Sequence, residues 1–541
     1  MNVTSILLEN GTLPFLDMND GSSPIITMVS SSPPLRIVSL VVFSLGFVLL
    51  KILSTRSSLL VEADKPQKLR TAVAPRAYPH WEPFIGIDLM AIFTRGLLSN
   101  NFLPMVLDLV QKYGGPFYTL AYRFVGKPAI VTFEPLNIKE LLSPSFRDYT
   151  HGEDRLNVLR PLLGDGVFNS NGQIWRDSRM FIRPFLHKMD DKQLQIFEEH
   201  FQDLLNALPK DAATVDIQPA MTDFVMDVVT HAFVGQSSGI LSKDGKSENL
   251  MEAKTFGIRH TQATDGLVFD DYNIYDLIPR LFGKSERNNY AREVNEILAK
   301  MIKRCTTKSM SNAATPSPIL EAATRLGKDT KHTHWDLMGL ITAGKDSTSS
   351  ALGSVLYCLA RNPEVVEKLR AEVEFLDGNP PSVEQLAQFK YLRDVINETL
   401  RLFAPISVNM KTAVRDTVLP VGGGSDGKSP IVVKEGVTVG YLVYGVHRRK
   451  DLWGADAADF RPERWEGLKP GWSFIPFGGG PRMCLGYKFA LTLMSYFIVR
   501  FVQSISKIEA RDPHPWTEKL GLTLFSKHGV KVSLQRSEKD L

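Results

Sequence analysis

Cysteine is scarce in this chain: Cys305, Cys358 and Cys484 are the three in 541 residues, odd in number and far apart. They form no disulfide framework, so the bulk of the chain is expected in a reducing compartment. Charge is nearly balanced at a net +4, and no cluster of Lys and Arg is interleaved with aromatics. That pattern argues against nucleic acid as a partner. Internal repeats are absent, which excludes a solenoid or propeller. Strand-like stretches are few: Phe117–Ala121, Ala129–Thr132, Ile431–Val433 and Val437–Tyr441. Helix-like patterns dominate from about Leu107 onward, so the fold class predicted is mainly α with a minor β-sheet. A dinucleotide fingerprint is missing too. The one Gly-x-Gly-x-x-Gly match, Gly422 to Gly427, runs into Ser429-Pro430 and a strand-like segment. Such a fingerprint must open a helix, so this stretch reads as a turn or hairpin tip and offers no flavin or nicotinamide site.

What is present begins with an apolar run. Ile37 to Leu50 carries no charge, and the run reaches Leu53 if Lys51 snorkels to an interface. A secretory leader would need a basic start and a small-residue cleavage site, and neither accompanies this run. Arg36 alone precedes it, whereas Lys51, Arg56, Lys65, Lys68 and Arg70 follow. The asymmetry predicts a lumenal tail over residues 1–34, a transmembrane anchor over 35–54 and a cytosolic body. The sequons Asn2-Val3-Thr4 and Asn10-Gly11-Thr12 would then be open to lumenal glycosylation; a third, Asn397-Glu398-Thr399, falls in a predicted core helix. Residues 55–85, with Pro66, Pro75, Pro79 and Pro83, read as a linker ahead of a catalytic body over 86–541. Thr306 to Pro318 is rich in Ser, Thr, Ala and Pro and reads as a surface loop.

Cys484 sits in Phe477-Gly478-Gly479-Gly480-Pro481-Arg482-Met483-Cys484-Leu485-Gly486, with a helix predicted from Tyr487. Glycines let a backbone approach closely and aim N–H groups at a sulfur, and a following helix start favours the thiolate. A free cysteine is ordinarily one more buried small residue, and only the whole pattern separates this one from that reading. The stretch resembles the haem-binding loop of the cytochrome P450 family, Phe-x-x-Gly-x-Arg-x-Cys-x-Gly. The resemblance implies a haem–thiolate fold behind a single transmembrane helix. It also implies haem b, with Cys484 as the axial iron ligand and Phe477, Arg482 and Gly486 around the cofactor.

Four further constellations stand where that resemblance requires them. Glu398-Thr399-Leu400-Arg401 puts a carboxylate and a guanidinium on one helix face. Alone such a pair is usually solvated; with Arg464 in Phe460-Arg461-Pro462-Glu463-Arg464-Trp465 the resemblance implies a buried structural triad. Ala343-Gly344-Lys345-Asp346-Ser347-Thr348 lies inside a helical run from Trp335 to Ala360. There Ala343 and Gly344 are expected to make room for dioxygen and substrate, and Asp346, Ser347 and Thr348 to relay protons. Ser347 replaces the usual threonine, so some uncoupled peroxide is expected. Trp175 and Arg179 share a helix face and, with Arg482, resemble the donors that grip haem propionates; Lys411 is a further candidate. Pro405-Ile406-Ser407-Val408 would turn over the haem edge.

Thr417 to Gly424, Val443-Tyr444-x-x-His447-Arg448 and Trp453-Gly454-x-Asp456-Ala457 look like the fungal alkane- and fatty-acid-hydroxylating branch, although Lys345 and Ser347 lie where that branch has Arg and Thr. The sequence thus implies a membrane-anchored monooxygenase of the endoplasmic reticulum, single-pass, with its catalytic body in the cytosol. It would use dioxygen and electrons from an NADPH-cytochrome P450 reductase on an apolar small-molecule substrate that partitions into membrane lipid. A long-chain fatty acid or alkane and a specialised-metabolite intermediate both remain open. So do a haem–thiolate isomerase or dehydratase that uses no dioxygen, and a non-enzymatic haem protein.

Overall fold

The computed structural model describes Leu69 and residues 71–241, 250–264, 284–310 and 317–537. The predicted tail, the anchor over 35–54, the sequons at Asn2 and Asn10 and the linker as far as residue 68 lie outside the described residues. No helix among the described residues is long and apolar enough to cross a membrane. The chain divides after Arg70, and the second unit begins inside the stretch read as linker. Val73 bridges Ile431, Pro75 bridges Gly423 and Ala77 bridges Ala121, so residues from Thr71 onward join the sheets of the body. Proline is tolerated at such an edge because its missing N–H leaves no ladder bond unmade.

The helices around the site are α1 (Ile87–Leu98), α2 (Pro135–Leu142), α3 (Gly172–His187), α4 (Asp191–Ala207), α5 (Ile217–Val234), α6 (Leu250–Thr264), α7 (Thr330–Leu359), α8 (Lys390–Leu402) and α9 (Tyr487–Ser504). Local chemistry fixes their starts. Asp190 and Gln193 form a capping box ahead of α4, and the Asp329 carboxylate accepts from the His332 N–H at the head of α7. Helix α7 is buried on nearly every side, with Leu337, Ile341, Leu352 and Val355 fully enclosed, which marks it as the central helix of the core. Its broadest packing is against α5, and α9 closes the same core through Leu493, Phe497 and Val499.

The largest sheet joins β1 (Thr119–Phe124), β2 (Lys127–Thr132), β3 (Tyr149–Thr150), β4 (Val408–Ala413) and β5 (Thr438–Leu442) in the order β1-β2-β5-β4-β3. β1 pairs antiparallel with β2 (Thr119 opposite Thr132), whereas β2 runs parallel to β5 (Ala129 opposite Thr438). A hairpin of Thr417–Gly423 and Ser429–Val433 places the glycine-rich stretch at its tip, as the sequence predicts. β4 escaped sequence reading because Asn409 and Lys411 interrupt its apolar run. The stretch Thr306 to Pro318 is corrected: the helix Lys284–Met310 runs through its first part, and Pro318 opens another helix under a Ser317 cap.

Candidate functional site

The loop before α9 is held by its own backbone. The Cys484 N–H donates to the Phe477 carbonyl at 2.9 Å, the Met483 N–H to Gly480 at 3.0 Å and the Gly478 N–H to Ile475 at 3.0 Å. Gly480 has φ of +65° and lies so close to the end of α2 that a Cβ would stand 1.8 Å from the Leu142 carbonyl oxygen. No other residue fits there. Gly486 caps α9, and its N–H aims at the Cys484 sulfur. Burial pushes the Cys484 thiol up, while the Gly486 N–H and the Arg179 charge pull it down. The side chain is nonetheless exposed to solvent-sized contact. The sulfur is thus open to a ligand although the loop and Arg179 surround it.

Beside this sulfur the sequence gathers cations. Arg179 on α3 donates to the Met483 carbonyl at 2.9 Å, and Arg482 donates to the Ser170 carbonyl at 2.8 Å and to Asn171 Oδ1 at 3.1 Å. The Arg482 guanidinium stacks 4.3 Å over the Trp175 ring, with that of Arg179 at 5.8 Å. Lys411 on β4 is buried, and its Nζ meets the two ring nitrogens of His151 at 3.3 and 3.2 Å. Burial, and then Arg155, Lys411 and Arg482, drive His151 well below its usual range. Burial with Arg155 and Arg482 does the same to Lys411, and burial with Arg155 and Arg179 pushes Arg482 down to about 10. Among the described residues no carboxylate stands within ion-pair distance of Arg179, Arg482 or Lys411. A buried lysine and two half-buried arginines without an acid are expensive, and the donor set therefore asks for an anionic group. Soft thiolate on one side and cations on the other fit the haem that the resemblance implies, with its carboxylates toward the cations.

The Glu398, Arg401 and Arg464 side chains converge. Glu398 takes Arg401 Nε and one terminal nitrogen at 2.8 Å each, and Arg464 Nε at 3.2 Å. Trp465 Nε1 and the Arg461 N–H complete its coordination at 3.0 Å each. Arg401 reaches on to the carbonyls of His447 and Ala457 at 2.8 and 2.7 Å. His447 then joins this network to the cysteine loop. Its Nδ1–H donates to the Arg401 carbonyl at 3.1 Å and its Nε2 accepts the Ile475 N–H at 3.0 Å. In the sequence His447 stands only within a stretch that looks like the fungal branch, and no local pattern there signals this link.

Midway along α7 the side chains separate. Asp346 is buried and ion-paired to Lys345 at 3.0 Å. Lys345 Nζ also meets His260 Nδ1 and Thr261 Oγ1 on α6 at 3.2 Å each, and His260 Nε2 meets Thr342 Oγ1 at 2.9 Å. Ser347 donates to the Ala343 carbonyl at 2.6 Å, and among the described residues no hydrogen bond joins it to Asp346. Ser347 keeps some accessibility, whereas Thr348 is buried. Gly344 needs a different account from the one its position suggested. A Cβ there would sit 3.1 Å from Val229 and 3.6 Å from Phe233, so this glycine lets α5 approach α7. His260 lies far from Lys345 in sequence, which left no pattern to find it by.

A sequence model of the family described as Cytochrome P450 matches residues 83–532. The chain is 40% identical to cytochrome P450 monooxygenase fsdH of Fusarium heterosporum, over 86% of this chain and 84% of that protein. It is 38% identical to cytochrome P450 monooxygenase himC of Aspergillus japonicus, over 85% of this chain and 83% of that protein. Identity to cytochrome P450 52A13 of Debaryomyces hansenii is 33%, over 79% of this chain and 86% of that protein.

Proposed function

The chain belongs to the cytochrome P450 family, an enzyme family built on haem with a cysteine thiolate ligand, and from that premise we propose that it inserts oxygen into an apolar, lipid-partitioning substrate. The observation that carries this reading is the accessible Cys484 sulfur under the Gly486 N–H, beside cations that lack a carboxylate. When bound, a haem held by a thiolate supplies the activation of dioxygen. Cys484 would supply the thiolate to its iron, and Arg179, Arg482 and Lys411 would hold its carboxylates, with Trp175 stacked under the two arginines. Phe477 and Gly486 shape the loop that presents the sulfur. Asp346, paired with Lys345, and Ser347, the more accessible of the two hydroxyls, relay protons to the haem side of α7. Thr348 packs behind Ser347. The Glu398–Arg401–Arg464 network keeps the scaffold rigid.

Electrons come from NADPH through a separate reductase. The anchor over 35–54 tethers the enzyme to the endoplasmic reticulum, with the sequons Asn2 and Asn10 in the lumen. In support, Trp81, Phe84, Ile85, Ile87 and Leu98, on and just before α1, are exposed apolar residues near the start of the body. The substrate is a long-chain fatty acid or alkane, or a specialised-metabolite intermediate with comparable apolar bulk. The resemblance to the alkane-hydroxylating branch supports the linear chain.

The test is a titration of the microsomal enzyme with linear fatty acids and alkanes and, separately, with polycyclic and polyketide ligands, following haem absorbance. A spin-state shift with linear chains, and hydroxylated products from them, is the expected result. A response to the bulkier ligands alone would move the substrate to the second class. Cys484→Ala should lose the thiolate-haem absorbance and all turnover; a variant that keeps turnover would overturn the mechanism.

A further inference from the structure

Outside the site, three ligating side chains meet between α4 and α5. Glu199 and His200 are neighbours on α4, and His231 lies in the last turn of α5. Their ligating atoms all stand within 4.8 Å of one another. His200 Nε2 and His231 Nδ1 are 3.1 Å apart, and His231 Nδ1 is 3.9 Å from Glu199 Oε2. Metal–nitrogen bonds of about 2.0–2.1 Å in a tetrahedral zinc site place neighbouring ligand atoms about 3.3 Å apart. The geometry points to a site for a divalent cation of the zinc class, held by Glu199, His200 and His231.

A second observation supports it. The His200 ring is buried, and its Nδ1 has no hydrogen-bond partner. Asp203, one turn along α4, presents Oδ2 to that nitrogen at 3.5 Å. A small closure of this gap makes Nδ1 the protonated nitrogen and turns the Nε2 lone pair toward His231. An outer carboxylate that orients a histidine in this way is the usual support of a metal ligand. Asp227, the buried acid on the same stretch of α5, is already occupied: it accepts from Ser238 Oγ and from the N–H groups of Ile240 and Leu241 at 3.0 and 3.1 Å. The C-terminal turn of α5 also favours a cation. Without metal, one proton bridges the two imidazoles; the cation replaces it and that proton leaves to solvent. Glu199 is exposed, so the fourth position is open to water. A bound cation would staple α4 to α5. α5 lies along α7, and Glu198 on α4 pairs with Arg500 of α9 at 2.9 Å.

The experiment uses the haem-loaded protein, freed of loose metal by a chelator and titrated with zinc against a chromogenic zinc indicator. Thermal unfolding is followed in parallel. One zinc per chain and a zinc-dependent rise in Tm are expected. His231→Gln and Glu199→Gln, both at accessible positions, should keep the haem spectrum and weaken zinc binding roughly tenfold or more, and Asp203→Asn roughly tenfold. Binding that matches in the parent and in the H231Q/E199Q double variant, or no stoichiometric binding by the parent, overturns the site.

Discussion

Ser347 turns its hydroxyl back onto its own helix at Ala343, and nothing on its Cβ restricts the rotamer that does so. A threonine methyl narrows that choice. Ser347→Thr is therefore expected to lower the peroxide released per NADPH oxidised in a reductase-coupled assay. An unchanged ratio would show that this hydroxyl does not limit proton delivery. Two positions earlier, Lys345 is almost wholly buried with its ammonium on Asp346. Removing one partner of such a pair leaves a charge without compensation. Lys345→Met should destabilise the fold by about 3–5 kcal/mol, measured by urea unfolding of the haem-loaded protein. The double variant K345M/D346N should recover most of that loss, because the stranded carboxylate is gone. If both variants unfold alike, the pair is not what holds this turn.

At the level of elements, helix α8 delivers its charged face into the interior. Glu398 is shared by two arginines, so Glu398→Gln leaves the buried Arg401 without an acid, while Arg464 keeps Asp456 at 2.9 Å. A loss of about 3 kcal/mol or more is expected, seen as a fall in Tm and in the fraction of chains that carry haem. The cysteine loop is constrained by space instead. Gly480→Ala meets the Leu142 carbonyl and a positive φ together, and the loop must shift away from α2. Its thiolate-haem absorbance should be lost even where the far-ultraviolet spectrum shows the helices intact.

These elements also show what the sequence made legible. Glu398 and Arg401 are one turn apart, so helical periodicity alone puts them together, and the loop of Cys484 is written in consecutive residues. Lys345 with His260, and His447 with Ile475, join segments whose approach is set only by packing. No local period encodes that. Gly344 is a related case: small residues on a helix look alike in sequence whether they clear space for a ligand or for a neighbouring helix, and the contact with Val229 decides it. β4 was hidden for another reason, since Lys411 points its charge inward among the cations and breaks the alternation that strands ordinarily display.

For the whole molecule, two enclosed histidines set a limit in acid. Burial, and then the Lys345 charge, push His260 down to about 3. Burial and Arg401 push His447 down to about 3, against the pull of the Arg401 carbonyl. Unfolded, each ring takes a proton near pH 6.5, so the unfolded chain binds more protons below that value. The stability these rings contribute is complete above about pH 6.5 and falls as the pH drops toward 3, by about 2 kcal/mol per histidine at pH 5. Denaturation midpoints should decline steeply between pH 7 and 5; a level profile would mean that the rings charge within the fold. The cations beside Cys484 carry a different consequence. Until an acid arrives among them, Arg179 and Arg482 repel one another and burial presses Lys411 toward its neutral form, so the newly made chain lacks stability that its cofactor adds. Such a chain opens more often and meets proteases more often. The amount of this enzyme in a cell should then follow haem supply, with the empty chain cleared first when haem runs short, which pulse-chase under haem limitation would record.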